Sequence, residues 1–512
     1  MQIKVMLWFD VEDYVTPESD EALLELLEML DGLGIRSTLK MVGLKARMLH
    51  ERGRGDILSK MAGHEIGYHT KDHSVHPTVT EYCEGLGFSE GAEAFRAREQ
   101  TGVDWVRRYT GQHPVGYGQP GATWAPHVFP VLRHWGFPVY LDEHNIMDLG
   151  GCAFWYGGIL MLTRLKSLMR YEHTKGPEEL ARAKAEFAGV AGAGGAAGLG
   201  GVAGKAEEAG ISEMTGLSEM TGLSEMVELS GISGISEFAR GRQFYHKKVN
   251  SAIDGENIKL VSIYYHPCEF ACDGFWDSYN FAHGKNPETT NDLKPAPTCS
   301  VAERRRRIGN LREFLAYTLT FPDVEYITMS QSAMFETVRT APITASDMKF
   351  WAESFDGNVT FAPMRGAYLA PSELFSLSAR ALAGRHLAPE LLYGPEADLP
   401  SELSGSPVRV PDLADAALNQ YDAVFGYKML KPLYDVGDQR LSALDMLATM
   451  AAALRSGAES VRVASGSVLA AASYVNPDDD YSNRWLFGPD FRIPGIIRHT
   501  RLQSWTLKPA VF

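Results

Sequence analysis

Two histidines four residues apart, His69 and His73, sit in the stretch GHEIGYHTKDH. Imidazole nitrogens bind divalent ions, and two of them on one helical turn share a face and converge on one ion. Alone, such a pair means little in a chain with 15 histidines. A second feature gives it weight. The apolar run at residues 3–9 ends in Asp10-Val11-Glu12-Asp13. Along an extended chain alternate side chains share a face, so Asp10 and Glu12 point one way and Val11 the other. Two histidines and one carboxylate leave positions open on a divalent ion. Asp10, Glu12 and Asp13 are all carboxylates at this strand end, and Asp13 competes with the other two for such a place. A further histidine, His266, closes the run IKLVSIYYHP. These residue types suit metal-assisted hydrolysis, in which one group takes a proton and another gives one.

The elements that must position these groups alternate. The run at residues 3–9 reads as a buried strand. Thr16-Pro17-Glu18 offers a helix start, Leu23, Leu24, Leu27 and Leu30 recur at helical spacing, and Gly32 and Gly34 close the helix. A second strand is expected from Ile35, a helical stretch over about 44–61, and a third strand in HEIGYH. Residues 129–135 read as helix; FPVYL, IKLVSIYYH and VEYITM read as strands. This order predicts an α/β protein with parallel pairing, and six or more units favour a barrel-like arrangement. Three of the strands end in chemistry-bearing groups, at the ends where parallel sheets place their sites.

Five segments together resemble the polysaccharide deacetylases, the NodB-homology or carbohydrate esterase 4 family. GHEIGYHTKDH resembles the family's histidine motif and WFDVEDY its aspartate motif. GYGQPGATW resembles its Arg-x-Pro-Gly segment, VYLDEH falls where an aspartate follows a strand, and SIYYHP resembles its final histidine motif. The resemblance covers residues 1–335. It implies a distorted, incomplete (β/α) barrel and a hydrolase of carbon–nitrogen bonds other than peptide bonds. It implies Asp10 as general base, Glu12, His69 and His73 as metal ligands, and His266 as general acid tuned by Asp142. The implied ion is divalent, zinc by default. It polarises an acetamide carbonyl, a backbone N–H near Trp124 helps to hold the oxyanion, and acetate and a free amine result. One position departs from the family. Gly118 stands where the family has an arginine, and the neighbouring Gln119 can hydrogen-bond there without supplying charge.

The expected reaction is removal of N-acetyl or O-acetyl groups from a polysaccharide or amino sugar. Two rivals stand beside it: a non-catalytic glycan-binding protein on the same scaffold, and a hydrolase of a small linear amide. An extended sugar calls for an open groove lined by aromatics, a small amide for a closed pocket. FWDSYNFAHGKNP places Trp276, Tyr279 and Phe281 just after His266, either as sugar-stacking faces or as loop packing. A two-histidine, one-carboxylate iron oxygenase is disfavoured by the parallel strand–helix order.

Size and charge bound the rest. The chain has 512 residues and 45% hydrophobic content, enough for two or three units. Residues 188–236 form a low-complexity insertion, Gly- and Ala-rich and then repeating SEMTGL, expected to be disordered or weakly helical. Residues 336–512 change texture and are expected to form an α+β accessory domain. YLAPSELFSLSARAL there has a faint resemblance to cell-wall-binding repeats. A net charge of -15 argues against nucleic acid as partner. The run Arg304 to Arg307 reads as a solvated helix face. The cysteines are too few and too scattered for a disulfide framework, and Cys268 and Cys272 read as buried thiols. No run of 18 apolar residues occurs, so no membrane span is expected. The opening MQIKVMLWFD is too short for a signal peptide, which predicts a cytoplasmic location, or cell surface or periplasm if the start is truncated. No feature sets an oligomeric state.

Overall fold

A computed structural model of the chain describes residues 2–141, 146–150, 152–162, 176–191, 252–254, 258–287, 289–336, 339–482 and 484–512. Asp142 and most of the 188–236 insertion lie outside the described residues. Residues 188–190 complete helix α7, Pro177–Val190.

The chain opens on β1, Gln2–Val11, buried along its whole length after Gln2. A strand covered on both faces reads as a near-continuous apolar run, which is why residues 3–9 carry no polar alternation beyond Lys4. Helix α1, Pro17–Leu33, starts on a proline at its first turn and stops at Gly34, whose left-handed backbone (φ 68°) closes it. Its Leu23, Leu26, Leu27 and Leu30 pack inward. β2 is Thr38–Met41 and β3 is Glu65–Tyr68. The helical stretch expected between them is two helices, α2 (Gly43–Glu51) and α3 (Gly55–Met61). They separate at Gly53, which takes φ 70°. The short α4, Val79–Cys83, precedes α5, Phe88–Thr110. α2 can approach α5 because two glycines meet: a Cβ on Gly43 would stand 2.6 Å from Gly102 Cα.

Short strands follow: β4 (Gly116–Tyr117), β5 (Val139–Leu141), β6 (Phe154–Tyr156) and β7 (Ile159–Leu162), with α6 (Val128–His134) before β5. The run closes with β8 (Ala252–Asp254), β9 (Ile258–Tyr265) and β10 (Val324–Ile327). β1 pairs in parallel with β2, β9 and β10, and the parallel order continues through β3, β4 and β5. The 11-stranded mixed sheet curls into a half-barrel whose strand order does not close on itself.

The C-terminal residues build a second core around Trp351, Phe375, Leu413, Tyr434 and Met446. They then return to the first. The last strand, Lys508–Pro509, pairs antiparallel with β6 and so becomes an edge of the main sheet. Thr500, on helix Pro494–Leu502, accepts from the indole of Trp124 at 3.1 Å. Among the described residues no helix is long and apolar enough to cross a membrane.

Half of the four-arginine run is not a solvated face. In helix Val301–Thr318, Arg304 is buried against Glu25 and Arg307 against Asp273 and Glu303. Arg307 also donates to the carbonyls of Glu269 and Cys272. Cys268 and Cys272 are buried free thiols. Burial pushes Cys272 up to about 12.

A buried histidine pair joins the return segment to the half-barrel. The rings of His127 and His499 lie 5.0 Å apart. Burial first, then the neighbouring His499, lowers His127 from 6.5 to about 3. Burial, then Arg498, lowers His499 to about 4. A histidine held neutral in the fold contributes stability that is present above its unfolded value and lost as pH falls toward the folded one. The melting temperature of the wild type should therefore fall on acidification from pH 7.5 to 5. His127→Asn should melt lower at pH 7.5 but lose less on acidification; an equal loss in both would remove His127 as the cause.

Candidate metal centre

Three strands bring the site together at their C-terminal ends. β1 delivers Asp10 and Glu12, the loop after β3 delivers His69 and His73, and β9 runs into His266. Residues 69–74 are not a helical turn, contrary to the expectation from their spacing. Thr70 (φ 63°) and His73 (φ 61°) are both left-handed. Such backbone costs a non-glycine residue about 1–3 kcal/mol and persists where its surroundings demand it. Here it folds the loop so that both rings face Glu12.

The distances are those of a ligand set. His73 Nε2 lies 2.9 Å and His69 Nε2 3.4 Å from the same oxygen, Glu12 Oε2. Donor atoms of the three residues all fall within 4.8 Å of one another. The outer nitrogens are engaged. His69 Nδ1–H donates to the Gly118 carbonyl at 2.8 Å, and His73 Nδ1 lies 3.3 Å from Asp277 Oδ1. Acceptors on the far nitrogen fix the tautomer and aim the near nitrogen at an ion. The second Glu12 oxygen, Oε1, accepts from the indole of Trp276 at 2.9 Å. The residues present thus fit a divalent ion.

Charge couples the cluster. Burial alone would raise Glu12, but His73 and His266, with hydrogen bonds from His69 and His73, hold it well below the usual carboxylate range. In return, against the effect of burial, Glu12 and Asp277 push His73 up to about 10. Glu12, Glu269 and Asp10 do the same for His266, also to about 10. His266 therefore holds a proton at neutral pH. Its Nε2 lies 3.6 Å from Asp10 Oδ2 and its Nδ1 3.0 Å from Glu269 Oε2. On the other side Asp10 Oδ1 meets Lys40 Nζ at 2.9 Å.

The other described candidates are held by packing and hydrogen bonds. Asp13, the competing carboxylate, accepts from the backbone N–H groups of Val15 and Thr16, both at 2.9 Å, and shapes the turn into α1. Trp276, a candidate sugar-stacking face, is fully buried against Glu12; Phe281 is also buried, and only Tyr279 of the three is exposed. The backbone N–H of Trp124 donates to Ala122 O at 2.9 Å, and its side chain is buried. Gln119 Oε1 accepts from Tyr140, and its Nε2 faces Gly121 O at 3.3 Å. Asp142 lies outside the described residues. Three residues escaped the sequence reading. Glu269 had a signal, lying three residues past His266 in the short helix Pro267–Ala271. Lys40 showed only as a charge inside a strand, and Asp277 showed nothing.

The site is enclosed. Asp10, Glu12, His69 and His73 are all buried, and His266, with 16% of its side chain exposed, is the most open of the five. Part of the cover comes from the far end of the chain. The indole of Trp485 donates to Asp277 Oδ2 at 3.1 Å, and His283 and Gly284 donate to the carbonyls of Trp485 and Leu486.

No protein-family model matches the chain, and no curated protein matches it. Solved structures do. A putative polysaccharide deacetylase from Mycobacterium smegmatis is 17% identical, with 67% of this chain and 94% of that one covered and a TM-score of 0.33. Puue allantoinase is 12% identical, with 65% and 89% covered and a TM-score of 0.35. A probable polysaccharide deacetylase from Pseudomonas aeruginosa PAO1 is 12% identical, with 65% and 90% covered and a TM-score of 0.34. Overlaps of this size carry no functional argument, so the site's own geometry has to.

Trp276→Phe removes the donor to Glu12 Oε1 and keeps the ring. Zinc affinity, read by competition with a chromophoric chelator, should fall about 10–100-fold. Asp277→Asn should weaken it in the same direction. Wild-type affinity in both folded variants would rule out these supports.

Proposed function

We propose that the protein is a metal-dependent hydrolase that cleaves an N-acetyl amide, with an acetylated amino sugar as the first substrate class. One observation carries this reading: Glu12, His69 and His73 face one point, with an acid–base pair, Asp10 and His266, beside it. A bound divalent ion, zinc by default, supplies Lewis acidity to the amide carbonyl and to water.

The chain's own residues do the rest. Asp10, a carboxylate paired with Lys40, accepts the proton of the attacking water. His266, with Nδ1 3.0 Å from Glu269 Oε2 and Nε2 3.6 Å from Asp10 Oδ2, is the group placed to give a proton. It delivers that proton to the departing nitrogen, turning a poor leaving group into an amine. Glu269 Oε2, 3.0 Å from His266 Nδ1, orients the ring. The enclosure of the site keeps bulk water from competing.

A second reading, hydrolysis of a small linear amide, is favoured by one observation. Trp276 and Phe281 are withdrawn into the core, and the site opens chiefly at His266. A binding-only scaffold is opposed by the paired acid and base, for which a binding module has no use.

Elemental analysis of the native protein and of His69→Ala tests the centre. About one divalent ion per chain is expected, lost in the variant. Acetate release from N-acetylglucosamine oligomers, measured beside small linear amides, then sorts the substrates. A native protein that takes up no ion after reconstitution overturns the reading.

A further inference from the structure

Asp10 belongs to a second potential ligand set. Donor atoms of Asp10, Glu12 and His266 lie within 4.8 Å of one another, as do those of Glu12, His69 and His73. A carboxylate bound to the ion is a poor proton acceptor, so a base beside an ion has to be held off it. We propose that Lys40 is a positioning residue that pins Asp10 away from the ion and reserves it for proton transfer. The inference rests on the reading of Glu12, His69 and His73 as ion ligands.

Lys40 on β2 is the register partner of Asp10 on β1. Its side chain is wholly buried and its Nζ lies 2.9 Å from Asp10 Oδ1. The same ammonium donates to Leu141 O, on β5, at 3.1 Å and stands 4.1 Å from the centre of a Trp8 ring. The lysine therefore crosses the interior face of the sheet from β2 to β5. Glycines make its path. A Cβ on Gly67, its register partner on β3, would stand 3.1 Å from Lys40 Cγ. A Cβ on Gly118 would stand 2.7 Å from Lys40 Cδ and 2.6 Å from Leu141 O. Neither glycine has a left-handed backbone. Space for the lysine arm, not conformational freedom, accounts for both. A buried ammonium persists only when paired, and its charge also opposes a second cation at Asp10. Gly118, read from sequence as the loss of a cation, is thus the room in which a cation from another strand reaches Asp10.

Cobalt(II) tests this, because its visible spectrum reports the ligand set. Lys40→Met keeps the length and removes the charge. The ion-free variant should melt below the wild type, since Asp10 is left buried without its partner. It should bind Co(II) about tenfold more tightly, a gain of the size one removed positive charge supplies. Its spectrum should shift as an added oxygen ligand joins. Its rate of acetamide hydrolysis should fall about 100-fold, as for loss of a general base. Adding Asp10→Asn should reverse the spectral shift. Gly118→Ala, which leaves both charges but displaces the lysine, should shift the spectrum in the same way. A wild type that binds no Co(II) overturns the ion reading and this inference with it. A wild type that binds Co(II), beside a folded Lys40→Met with the same spectrum and rate, overturns the role of Lys40 alone.

Discussion

Glu12 is a carboxylate buried at the end of a fully buried strand, and that burial is the constraint to which the surrounding structure answers. An isolated charge in such a place would neutralise itself rather than remain ionised. Here it stays ionised because two protonated imidazoles and an indole N–H surround it. Each supporter then needs its own support. His69 leans on the Gly118 carbonyl, His73 on Asp277, and His266 on Glu269. The left-handed residues of the 69–74 loop belong to the same arrangement, in which both near nitrogens meet one oxygen. A divalent ion meets the same electrostatic requirement as the protons on those histidines, which is why one cluster can satisfy both chemistries.

The two carboxylates of β1 are two residues apart and share a face, yet they meet opposite surroundings. Glu12 is ringed by histidines and a tryptophan. Asp10 has an ammonium on one side and the protonated His266 on the other. On the proposed reading, environment rather than residue type separates a ligand from a base. That separation depends on long-range strand order: Lys40 can serve Asp10 only because β2 lies beside β1 and two glycines, Gly67 on β3 and Gly118 just after β4, leave its arm unobstructed.

The end of the chain is part of this arrangement. The last strand joins the main sheet at β6, and the segment around Trp485 rests on Asp277, the partner of His73. The C-terminal residues therefore contact the residues that support the site built by residues 10–73. Among the described residues, His266 is the most exposed of the five side chains of the site.

Much of this was legible in the chain itself. The apolar run ending at Asp10 and Glu12, the paired histidines and the run ending at His266 are local patterns. A strand buried on both faces has to be apolar, and a site at strand ends has to follow it. The proline start and glycine stop of α1 are local for the same reason. What the sequence could not decide was which groups meet across hundreds of positions. Trp276, readable from sequence either as a face for sugar or as loop packing, is a buried donor to Glu12; Gly118 looked like a missing charge and is space for Lys40. Asp277 and Glu269 acquire their roles only from the histidines they touch. A residue's type and its neighbours in sequence set its own conformation and chemistry. Its partner in a buried charge network is set by strand order and by the space left between side chains, and those exist only in the folded chain.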